Sequence, residues 1–182
     1  MKWYKLFFII SLLGCQNENE ILYSNLDGIN HEDIMNGPLN SEKHILSLLY
    51  DLNTEPDSSF LDEILQKLEL NNKQWRLLAF QAIGSYCISA DNSMALRLQT
   101  SIFNYFLYFP KEYISLVSKF EYEKSDCILE LFSKYVQKYI QTNQITIVSM
   151  KNVAYKYCKG CTDSEISKTY QYLDLASKYA SD

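Results

Sequence analysis

Residues 125–139 read SDCILELFSKYVQKY, and this stretch decides the fold class. Six of its large apolar side chains, Ile128, Leu131, Phe132, Tyr135, Val136 and Tyr139, recur at helical spacing, with Leu129 alone out of phase. Steps of three and four residues keep all six on one face of an α-helix, whereas a half-buried strand needs alternation at period two. Ser125 can cap the start of this helix.

The same spacing extends in both directions. Toward the N-terminus, Ile45, Leu48, Leu49 and Leu52 mark a helix that Ser41 can cap, and Phe60, Leu61, Ile64, Leu65 and Leu68 mark another with Pro56 near its start. Asn71 and Asn72 precede a helix over 73–88 with Trp75, Leu78, Ala79, Ala82, Ile83 and Tyr86 in phase. Asp91 or Ser93 opens a fourth, carrying Ala95, Leu98, Ile102 and Phe106, and Pro110 starts a fifth through Tyr113, Leu116, Val117 and Phe120. Beyond the central stretch, Ile147, Met150, Ala154 and Tyr157 predict a helix over 144–157, although the β-branched run from Ile145 to Val148 also fits a short strand. Thr162 and Glu165 form a capping box for a last helix through Ile166, Tyr170 and Leu173.

Composition agrees with a helical protein. Gly and Pro together number eight in 182 residues, well below an average usage of roughly 12%, so the many tight turns of an all-β fold are unavailable. With 47% hydrophobic and 21% charged residues the chain is neither disordered throughout nor a multi-span membrane protein. The expected fold is therefore all-α, as an irregular stack of antiparallel helical hairpins in the manner of HEAT-like arrays, by architectural analogy alone, or as a compact multi-helix bundle. A body of about 140 residues, from 41 to 182, can bury roughly two thirds of its unfolded surface and stand as one domain.

The N-terminus carries a different signal. Lys2 and Lys5 precede an eight-residue run, Leu6 to Leu13, which rises only about 12 Å as a helix and is too short to span a bilayer. A basic start, a short apolar run and a small residue describe a secretion signal over 1–14. Leu12-Leu13-Gly14-Cys15 resembles the lipobox of bacterial lipoproteins. That resemblance implies diacylglycerol on the Cys15 thiol and removal of the signal, and Gln16 in the next place implies the outer membrane as destination. The acidic run after Cys15 is similar to the surface-export signal of some Bacteroidetes lipoproteins, so either the periplasmic face or the cell surface is implied.

Residues 15–40 show no sustained helical period, include Gly28, Gly37 and Pro38, and carry five carboxylates with no Lys or Arg. They read as a flexible acidic tether behind the lipidated Cys15. The whole chain has 17 Lys and Arg against 22 Asp and Glu, but the body from Ser41 has 15 against 17. Its charge is thus only −2, and the acidic balance belongs largely to the tether. A negative balance with only two Arg argues against nucleic acid as the main ligand.

Catalytic signals are sparse. The two histidines are His31, in the tether, and His44, and no nucleophile elbow, zinc-protease, dinucleotide or phosphate-loop motif occurs. His31-Glu32-Asp33 lacks a second His at helical spacing and reads as solvated, so neither metal nor cofactor is expected. Cys158-Lys159-Gly160-Cys161 is the sharpest motif. Outside the cytoplasm it reads first as a disulfide clipping a turn between helices, with thiol-redox chemistry as the alternative. Cys87 and Cys127 lie singly on separate helices and either pair or pack as small hydrophobes.

Fifteen Tyr, eleven of them beyond residue 100, serve either core packing or recognition. Tyr105, Tyr108, Tyr122, Tyr155 and Tyr172 fall off the main apolar stripes and form the candidate contact surface. The expected function is that of an envelope lipoprotein, anchored in the membrane through Cys15, whose non-enzymatic helical domain binds another protein. An immunity protein against an envelope-targeted toxin and an accessory subunit of an envelope assembly both suit that description.

Overall fold

The computed structural model describes residues 31–179 except for 51, 53, 143 and 144. Among the described residues there are nine α-helices and no strand. They are α1 (His31–Asn36), α2 (Ser41–Leu49), α3 (Leu61–Lys67), α4 (Lys73–Ile88), α5 (Asn92–Tyr108), α6 (Pro110–Val117), α7 (Tyr122–Gln141), α8 (Ile147–Tyr157) and α9 (Asp163–Lys178).

Local chemistry places most of the ends. The Asn72 side chain accepts from the N–H groups of Gln74 and Trp75 to start α4, and Asp91 accepts from Met94 N–H at 2.8 Å to start α5. Pro110 is the first residue of α6, where its missing N–H costs nothing. Thr162 and Glu165 close a reciprocal capping box on α9. Thr146 and Ser149 do the same on α8, so the β-branched run begins a helix, not a strand.

Three starts differ from expectation. Asn40, rather than Ser41, caps α2 through Lys43 N–H, because Ser41 is already the first residue inside the helix. Pro56 is followed by a 3-10 turn, Ser58–Phe60, capped by Asp57, and α3 begins only at Leu61. Ser125 lies one turn inside α7, which starts at Tyr122 without a side-chain cap.

A larger correction concerns the segment read as a tether. From residue 31 it is part of the folded body: Ile34 and Met35 of α1 pack against the core, and the Tyr50 hydroxyl hydrogen-bonds His31 Nδ1 at 2.5 Å. Lys43 Nζ also donates to the Gly37 carbonyl at 2.9 Å. The body thus includes α1, ten residues earlier than the helical pattern indicated. Cys15, the signal sequence and residues 16–30 lie outside the described residues.

The helices form one compact arrangement with many contacts between elements far apart in sequence. α7 is its axis and packs against α4, α5 and α9, while α2 extends the row beyond α4. α6 packs against α4, α5 and α9, and α8 against α5 and α9. Ile128, Phe132 and Val136 on α7 are fully buried, and each such side chain contributes about 1.5–3 kcal/mol. A bond between Cys87 and Cys127 joins α4 to α7 covalently.

Much of the tyrosine excess lies inside. Phe80, Tyr105, Phe106, Tyr113 and Phe132 are buried together, with Tyr172 against them. Ring centroids lie 4.8 Å apart for Phe80 and Tyr105, 5.1 Å for Phe106 and Tyr113, and 5.1 Å for Phe132 and Tyr172. Tyr113 donates to the Tyr172 hydroxyl at 2.9 Å, and Tyr105 to Glu112 at 3.1 Å, so these hydroxyls are satisfied within the core. Burial pushes the pKa values of Tyr105, Tyr113 and Tyr172 far above the ordinary phenol value.

His44 makes this core sensitive to acid. It is 4% exposed, and its Nε2 accepts from the Asp57 N–H at 3.2 Å, a bond that a protonated ring cannot make. Tyr86 fastens the same residue by donating to the Asp57 carbonyl at 2.7 Å. Burial lowers the His44 pKa, partly offset by Asp57, and burial also lowers that of His31. The unfolded chain therefore takes up these protons first as pH falls through the ordinary histidine value, and stability declines from there. Urea midpoints should drop between about pH 7.5 and 5.5, above the carboxylate range, and His44→Gln should flatten that dependence. A wild-type midpoint constant across the window would contradict the assignment.

Candidate functional site

The α5–α6 corner and the α8–α9 turn meet at a concave face. A hollow of about 810 Å³ there has Leu77 and Leu78 of α4 and Leu116 of α6 among its walls. A second hollow, of about 520 Å³, is lined by Leu65, Leu68, Ser101 and Asn104. Tyr108, Phe109 and Tyr157 line both and so stand between them. Tyr108 and Tyr157 are 47% and 42% exposed, and their rings meet edge to face at 4.8 Å.

Chain geometry builds this ridge. Tyr108 ends α5, Phe109 links it to α6, and Pro110 starts α6 at once, so the corner presents Tyr108 outward. The Arg76 guanidinium sits over the Phe109 ring at 4.0 Å. Tyr157 ends α8 where Cys158 caps it. Gly160 then takes φ of 75°, a conformation that side-chain-bearing residues avoid, and Cys161 N–H donates to the Cys158 carbonyl at 3.1 Å. The Cys158–Cys161 disulfide closes this turn at the edge of the larger hollow.

Both carboxylates lining that hollow are neutralised. Glu112 receives Arg76 Nη2 at 2.8 Å and Nε at 3.1 Å, and Glu165 receives Lys111 Nζ at 3.2 Å. The Thr162 backbone N–H, followed by Lys111, holds the Glu165 carboxyl below its ordinary pKa. Lys73, Lys119 and Lys159 line the hollow as well, and none makes an ion pair among the described residues.

The sequence candidates divide on this geometry. Tyr108 stands on the ridge, and Cys158 and Cys161 lie beside it, bonded as read. Tyr122 and Tyr155 are 82% and 60% exposed but line neither hollow. Tyr105 is corrected from the contact surface to the core at 2% exposure, and Tyr172 is a half-buried core partner of Tyr113. Tyr157 was not among the candidates, because its place on the α8 stripe suggested burial; its position at the helix end, one residue before Cys158, was the available signal. Among the described residues no group of three or more His, Cys, Asp or Glu is placed to hold a metal ion.

Fold and site together define an all-α, doubly disulfide-bonded protein with an aromatic ridge between two hollows. No protein-family model, curated protein or solved structure matches the chain.

Proposed function

We propose that this chain is a lipid-anchored envelope protein, without catalytic activity, whose helical domain binds another protein across the Tyr108–Tyr157 ridge. The exposed tyrosine pair between two hollows carries this reading. Two aromatic rings held by each other and by helix ends offer large contact area with little side-chain entropy left to lose, which suits a protein partner. Anchoring rests on the lipobox-like Leu12-Leu13-Gly14-Cys15. Two disulfides support an oxidising compartment.

A photo-reactive residue in place of Tyr108, activated in intact cells, tests the reading. One dominant partner should be captured from Tyr108 but not from Tyr122, and Tyr157→Ala should abolish capture. The chain should sediment with membranes, and Cys15→Ser should release it. Capture in cells grown alone would identify a resident assembly, and capture only with a competitor's toxin present would identify an immunity role. No adduct under either condition, from a folded and membrane-bound chain, would sink the protein-binding reading.

A further inference from the structure

The hollow beside the ridge carries a charge that the folded body lacks. Arg76 neutralises Glu112 and Lys111 neutralises Glu165, which leaves Lys73, Lys119 and Lys159 as its uncompensated groups among the described residues. All three lysines are exposed. They come from α4, the turn that follows α6 and the α8–α9 turn, and so approach one hollow from three places in the chain. From His31 onward the chain has 15 basic and 19 acidic residues, making this hollow a positive region on an acidic domain. Between the lysines the walls include Leu77, Leu116 and Phe120.

Cations around apolar walls select a ligand with carboxylates flanking apolar side chains. We infer that the hollow receives an acidic segment of the partner protein, its carboxylates meeting Lys73, Lys119 and Lys159 and its leucine or aromatic side chain seated against Leu77, Leu116 and Phe120. This rests on the protein-binding reading above and names the chemistry of the partner. An anionic lipid surface carries the same charge, but a flat bilayer cannot enter a hollow walled by Tyr108 and Tyr157. A protruding segment can.

The test uses the full-length chain in detergent micelles and fluorescence anisotropy of a labelled synthetic peptide in which paired glutamates flank one leucine and one tyrosine. This peptide should bind, more weakly as salt rises. Exposed ion pairs are individually weak, so Lys73→Gln, Lys119→Gln and Lys159→Gln together should reduce affinity about tenfold. Lys138→Gln, on α7 and outside the hollow, should leave binding unchanged. Replacing the glutamates by lysine, or the leucine and tyrosine by serine, should abolish it.

Equal binding of the lysine peptide, full affinity in the triple variant, or displacement of the peptide by phosphatidylglycerol vesicles would overturn the inference. These surface substitutions leave the core intact, which unchanged circular dichroism checks. A partner captured from Tyr108 with equal yield in the triple variant would overturn the acidic segment alone; absence of any adduct would instead remove the protein-binding reading.

Discussion

Replacing Cys87 and Cys127 together by alanine should lower the unfolding free energy by about 4 kcal/mol, whereas replacing Cys158 and Cys161 should cost about 2 kcal/mol. The difference follows from loop length. Cys87 and Cys127 are 40 residues apart, so their bond denies the unfolded chain a large set of conformations, while Cys158 and Cys161 are only three apart. The longer link also joins α4 to the central α7, and Cys87 is 4% exposed. Alanine leaves no unsatisfied hydroxyl at that buried site, which makes it a better probe than serine. Urea unfolding of both double variants, with and without reductant, measures the two effects. Reductant should destabilise the wild type and leave the four-alanine chain unchanged. A Cys87/Cys127 variant more stable than the Cys158/Cys161 variant would contradict the ordering.

The helical class and many of the helix ends were legible because they depend on neighbours in sequence. Asn72, Asp91, Pro110 and Thr162 each act within one helical turn of themselves. α1 was not legible: its six residues offer only Ile34 and Met35 as apolar contacts, and it is held by packing on α2. Tyr105 shows why the stripe argument misplaced side chains. It follows Leu98 by seven residues and Ile102 by three, so it shares their face and is buried with them and Phe106; the buried stripe is wider than the expected one. Tyr172 does lie off its stripe, and it is covered because α9 packs on α6, α7 and α8. The lysine-lined hollow brings Lys73 together with Lys159, and no local period marks two residues so far apart in the chain. Only the packing of α4, α6 and the α8–α9 turn creates it.

Arg76→Met is expected to destabilise the protein by about 3–5 kcal/mol, because it strands Glu112 as an unpaired charge at a largely dry site. The two side chains are 7% and 15% exposed, and Glu112 would keep only the Tyr105 hydroxyl. Arg76 also donates from Nη1 to the Leu70 carbonyl at 2.5 Å, anchoring the link before α4. Glu112→Leu strands the guanidinium in turn and should cost a similar amount. Making both changes removes both charges, so the double variant should lose less than either single variant, retaining mainly the cost of the orphaned Tyr105 hydroxyl and Leu70 carbonyl. Urea unfolding of the four chains completes the cycle, and additive losses would refute the pairing. The same substitutions separate stability from recognition. Arg76→Met exposes the hollow to an uncompensated Glu112 and should weaken the acidic peptide in the fraction that remains folded, while Glu112→Leu adds uncompensated positive charge and should strengthen it. Two variants that lose stability alike but move affinity in opposite directions would tie this ion pair to the charge of the hollow, independently of its role in holding α4 to α6.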